Sequence, residues 1–72
     1  MDKQYLNKQQ LENRIKKLND WLIQNPNDPM AGTAKNEVFY YIDLLSELEE
    51  SIYPTILNEC PFQIYQQIGV LL

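Results

Sequence analysis

Asp43, Glu47 and Glu50 come nearest to a chemical constellation in this chain. Their steps of four and three residues align them along one ridge of a helix. A hard cation takes oxygen ligands of this kind, but such sites gather donors from a loop or from several elements. A single ridge on one helix is ordinarily a solvated face, so no metal site is expected. Nucleophilic catalysis needs a nucleophile with a base in reach. The 72 residues include no histidine to serve Ser46 or Ser51, and Lys35 stands alone. Cys60 precedes Pro61 among acidic and apolar neighbours, which raise a thiol pKa rather than lower it. It reads as a buried, inert cysteine. Gly32 and Gly69 are isolated and form no phosphate-cradling loop. No catalytic residue and no cofactor emerges, and a non-enzymatic protein is expected.

Length and charge narrow the field further. A chain of 72 residues is one small domain, with a core that rarely supplies more than about 3–5 kcal/mol without a staple or a partner. A single cysteine closes the route through an internal disulfide, and the lack of histidine all but closes the route through zinc. The first residues carry no long apolar run, and Ile68–Leu72 is too short to cross a bilayer, so a cytoplasmic protein is expected. The net charge is −4, unevenly spread. Residues 1–24 hold five of the six basic groups (Lys3, Lys8, Arg14, Lys16, Lys17), whereas from residue 25 onward Lys35 faces seven acids. The basic groups are scattered around their helix rather than gathered into the footprint that nucleic acid requires. Nucleic-acid and membrane partners are therefore not expected.

Helical spacing governs the elements that would position these groups. Leu11, Ile15, Leu18 and Leu22 recur at helical steps, predicting an amphipathic helix over about 3–24. Asn25-Pro26-Asn27-Asp28-Pro29 ends it, because the residue before a proline is pushed out of the α region. A second helix starts at 29, with Asp28 as cap, or at 33, with Thr33 as cap. Ala31, Ala34, Val38, Tyr41, Leu45, Leu48 and Ile52 then follow at alternating steps of three and four, a coiled-coil-like heptad of about six turns. Because Ile56 and Cys60 extend the stripe, the second helix is expected to continue to 59, kinked at Pro54. Pro61 restarts the chain, and Phe62, Tyr65 and Ile68 fit one face of a short helix stopped by Gly69. The rival for this last segment is a strand through Phe62, Ile64 and Val70. The expected fold is all-α, one domain over 1–72: an antiparallel helical hairpin with a short C-terminal helix, open to assembly as a dimeric bundle.

On a wheel of about 100° per residue, Ile42 and Leu44 join the heptad and widen the apolar sector of the second helix to about 160°. One neighbour does not cover that width, so the C-terminal segment or a second copy is expected to share it. Glu37 and Glu49, at the sector's edges, are placed to neutralise the basic helix. Asp43, Glu47 and Glu50 point the opposite way, with Phe39 and Tyr40 on either side of them. Aromatic residues are enriched at interface cores. Phe39, Tyr40, Asp43, Glu47 and Glu50 are accordingly the candidate protein-binding residues; alternatively, Phe39 covers the C-terminal segment. The expected role is that of a small regulator, inhibitor or adaptor acting on another protein. Abundant Asn, Gln, Lys and Ile fit a phage or mobile element with a host protein as target. The alternatives are a homo-oligomeric bundle whose assembly is its function, and an acidic nucleic-acid mimic.

Overall fold

The computed structural model describes residues 4–62 and 64–71. Five elements follow in order: β1 (Gln4–Asn7), α1 (Lys8–Gln24), α2 (Ala31–Glu50), β2 (Thr55–Asn58) and α3 (Ile64–Leu71). The two long helices pack against each other as a hairpin, α3 lies against both, and the two strands form a small antiparallel ribbon. The fold is mostly helical rather than all-α. No helix among the described residues is long and apolar enough to cross a membrane.

The first helix starts at Lys8, not near residue 3, for a local reason. The Asn7 side chain accepts the Gln10 amide at 2.8 Å, while the Gln10 side chain accepts the Asn7 amide at 2.9 Å. This reciprocal capping box holds Asn7 in an extended conformation, so the preceding residues are free to enter a strand. Leu11 and Leu18 are completely buried on the inner face, and Trp21 nearly so. At the other end the Asn25 backbone and side-chain amides both donate to the Trp21 carbonyl at 2.9 Å, and Pro26 prevents a further turn. Asp28 then takes the Met30 amide on its carboxylate at 2.8 Å, and α2 begins at Ala31, between the two expected starts.

The second helix ends at Glu50 and does not continue through Pro54 to 59. A proline at 54 has no amide for the helical ladder and clashes with the carbonyl one turn before it. Ser51 is already extended, its amide turned onto the Leu48 carbonyl at 3.1 Å. Ile52, the last member of the heptad, is 93% exposed. Beyond Pro54 the chain pairs with β1 in the register Tyr5 to Leu57 and Leu6 to Ile56. The ribbon persists because Leu6 is buried in the core and Ile56 packs against it, whereas a free two-stranded ribbon is marginal in water. The C-terminal segment is helical, as its spacing predicts, and runs through Gly69 to Leu71 rather than stopping at the glycine.

The core joins Leu6, Leu11, Leu18, Trp21, Ala34, Val38, Tyr41, Leu44, Leu48, Ile64 and Ile68. The wide sector of α2 is thus shared by α1 on one side and by α3 and β2 on the other. Because the strand alternates, Leu6→Ala should lower unfolding free energy by about 2–5 kcal/mol in urea titrations. Tyr5→Ala, one residue away on the exposed face, should cost well under about 1 kcal/mol.

Candidate functional site

Three surroundings in this fold bear on function: a polar cluster beneath α3, the acidic ridge of α2, and a groove between α1 and α2. In the first, Glu37 is completely buried. Its Oε1 accepts the Ile64 amide at 2.8 Å and its Oε2 the Tyr65 amide at 2.9 Å. These are the first two residues of α3, so the carboxylate meets the positive end of the helix dipole. Glu37 therefore does not neutralise α1, as its place at the sector edge suggested; it anchors the C-terminal helix. Glu49 does reach α1, with an oxygen 3.8 Å from Lys8 Nζ, but both side chains are more than half exposed and the pair is weak.

Arg14 supplies the cationic side of the cluster. Its Nη1 donates to Tyr41 Oη at 3.0 Å, and its guanidinium lies 4.7 Å from the Tyr65 ring centroid and 5.5 Å from that of Tyr41. Burial pushes the Tyr41 phenol up to about 12, against the lowering effect of the Arg14 hydrogen bond, with the Glu37 charge adding to the rise. Burial likewise raises the partly buried Cys60 thiol, which makes it a poor nucleophile. A polar crevice of about 160 Å³ opens among Arg14, Tyr41, Cys60 and Tyr65. The hydrogen bonds and cation–π contacts here join α1, α2 and α3, which is the work of a structural clasp.

The structure divides the expected binding residues between two sides of α2. Tyr40 is half-buried: its hydroxyl accepts the Glu59 amide at 2.8 Å and its ring meets Tyr41 edge-on at 5.8 Å, so it secures the chain between β2 and α3. Burial raises its phenol as well. Glu47 faces a hollow bordered by Tyr5, Tyr53 and Pro54. Asp43 and Glu50 are exposed. Among the described residues no three His, Cys, Asp or Glu side chains come together as a metal site. Phe39 is 62% exposed and points about 100° away from Tyr40 round the helix. It borders the groove between the hairpin helices.

That groove encloses about 760 Å³. Leu22 and Ile23 of α1 form one wall and Val38, Phe39 and Ile42 of α2 the other, with Lys35 at its rim. Ile23 and Ile42 are 77% and 42% exposed. Neither belongs to the expected site. Ile23 lies outside the stripe that marks the inner face of α1, and Ile42 sits at the margin of the α2 sector. Comparison with family models, curated proteins and solved structures finds no match for this chain.

Replacing Glu37 with Ala should strand the two α3 amides and cost about 2–3 kcal/mol. Hydrogen exchange at Ile64 and Tyr65 should accelerate far more than exchange within α1. The Tyr41 shift has a definite sign in pH. Folding favours the neutral phenol, so its contribution is complete below pH 10 and lost as pH rises to about 12. Denaturant midpoints of the wild type should fall across that window, and those of Tyr41→Phe should fall less steeply.

Proposed function

We propose that this chain is a non-enzymatic protein-docking module whose contact face is the groove between α1 and α2. The observation that carries the reading is the convergence of Ile23, Phe39 and Ile42, three large apolar side chains left exposed by two different helices, on one concavity. Single exposed apolar residues are common on any surface, whereas a contiguous apolar patch with a polar rim is characteristic of interaction sites. A groove between two antiparallel helices suits a third helix, laid in with apolar anchors at helical spacing.

Charge defines the occupant further. Asp43, Glu49 and Glu50 are exposed along the second half of α2, and Lys35 is the one basic residue of that helix. A helix docking here gains where it sets a cation beside these acids, which contributes more to specificity and association rate than to affinity. The clasp of Glu37 and Arg14 supports the same reading, because it holds α2 rigidly from behind and leaves the groove side free.

Affinity capture with the tagged chain as bait tests the proposal. Phe39→Glu and Ile23→Ser should each abolish retention of the bound protein, whether a different chain or an untagged copy of this one, with far-ultraviolet circular dichroism unchanged. Retention that survives both substitutions would remove the groove as the docking face.

A further inference from the structure

We infer that the helix seated on this face is α2 of a second copy, running antiparallel about a two-fold axis between Phe39 and Ile42. The inference rests on the docking reading above and names its occupant. Its first support is an outer stripe on α2, distinct from the buried one. Gly32, Lys35, Phe39, Ile42, Ser46 and Glu49 are all exposed and follow at steps of three, four, three, four and three. At about 100° per residue they occupy a sector about 100° wide, the spacing that keeps one helix against another. The apolar pair stands in the middle: the centre of the helix Ala31–Glu50 falls between Phe39 and Ile42. A two-fold axis there overlaps the two helices along their whole length and seats Phe39 of each copy on Ile42 of the other.

Charge selects this direction. Along the exposed surface of α2 the one cation, Lys35, lies toward the N-terminus, and Asp43, Glu47, Glu49 and Glu50 lie toward the C-terminus. Parallel copies would set acids against acids, a repulsion that chains of net charge −4 can ill bear. Antiparallel copies keep the acidic ends apart and place Lys35 opposite Ser46, within a turn of Glu49 and on the same flank. The helix dipoles are then opposed as well. Gly32 faces Glu49 in this arrangement. Within one copy nothing approaches within 4 Å of the place a Gly32 side chain would take, and its φ is not positive. Neither packing nor backbone geometry in a single copy calls for glycine there, whereas a glycine in the seam makes room for the facing glutamate.

Sedimentation over a micromolar to millimolar series, with circular dichroism to confirm folding, provides the first measurement. The wild type should pass from monomer to dimer, Phe39→Glu should remain monomeric, and Lys35→Glu should weaken the dimer roughly 3- to 10-fold. Cross-linking provides the second. In a Cys60→Ala background, the double variant Lys35→Cys/Ser46→Cys should form covalent dimers on oxidation, and Lys35→Cys alone should not. In the antiparallel pairing the two copies of position 35 lie about 16 Å apart along the axis, as do positions 35 and 46 within one helix. A wild type that stays monomeric to millimolar concentration would overturn the second copy as occupant while leaving the groove open to a foreign helix. A dimer indifferent to Phe39→Glu, with no cross-link in the double variant, would overturn both the inference and the docking face.

Discussion

Glu37 is the one charged side chain buried among the described residues, and closure of the molecule runs through it. A carboxylate withdrawn from water costs several kcal/mol unless its oxygens are satisfied. Here each oxygen accepts a backbone amide, and both amides belong to the first turn of α3. Charge-assisted bonds and the helix dipole offset the desolvation together. The dependence is mutual. An isolated helix of eight residues does not persist in water, so α3 needs both the anchor and the burial of Ile64 and Ile68. Once α3 is seated, the Tyr65 ring lies by the guanidinium of Arg14, which bonds Tyr41 one turn along α2 from Glu37. The polar clasp thereby runs from α2 to α3, on to α1 and back to α2, beside an apolar core too small to lose any of these contacts lightly.

What could be read from the amino-acid order follows a physical dividing line. The hairpin was legible because Leu11, Leu18, Ala34, Val38, Tyr41 and Leu48 recur with the period of a helix and are buried on its inner face. The turn was legible because two prolines and Asp28 leave the chain few alternatives. The ribbon was not, since its strands are four residues long and lie far apart in the chain, with no periodicity to betray them. Two local signals did mark their edges. Asn7 and Gln10 have the spacing of a capping box, and Pro54 has no place inside a helix, although the apolar stripe continues past it to Ile56 and Cys60.

Of the candidate site, only the exposure of its aromatic was legible. Phe39 stands off the buried sector by simple helical geometry, and the structure leaves it in solvent. Tyr40 is different because its fate depends on where β2 and the following residues lie, which helical spacing within α2 cannot report. Glu47 parts from Phe39 for the same reason. Glu37 looked like an edge residue facing a basic neighbour because nothing local reveals that the start of another helix, 27 positions away, lies above it.

The exposed apolar residues of this chain differ in kind, and the difference bears on what the groove means. Ile52 is the most exposed of them, yet it needs no partner to explain it: the helix stops before Pro54, and the residue that would have continued the stripe is left outside. Ile23, Phe39 and Ile42 have no such excuse. Each sits inside a regular helix where a polar side chain would serve the backbone equally well, and those of α2 carry the spacing of a second packing surface. In a molecule that buries this little, keeping three large apolar groups in water favours the unfolded chain no less than the folded one, so their presence adds nothing to the stability of a single copy. It does add to the stability of an assembly in which something covers them. In the proposed pairing of α2 against α2, Phe39 and Ile42 cover each other, and the lysine near one end and the acids near the other are brought together through a single two-fold rotation.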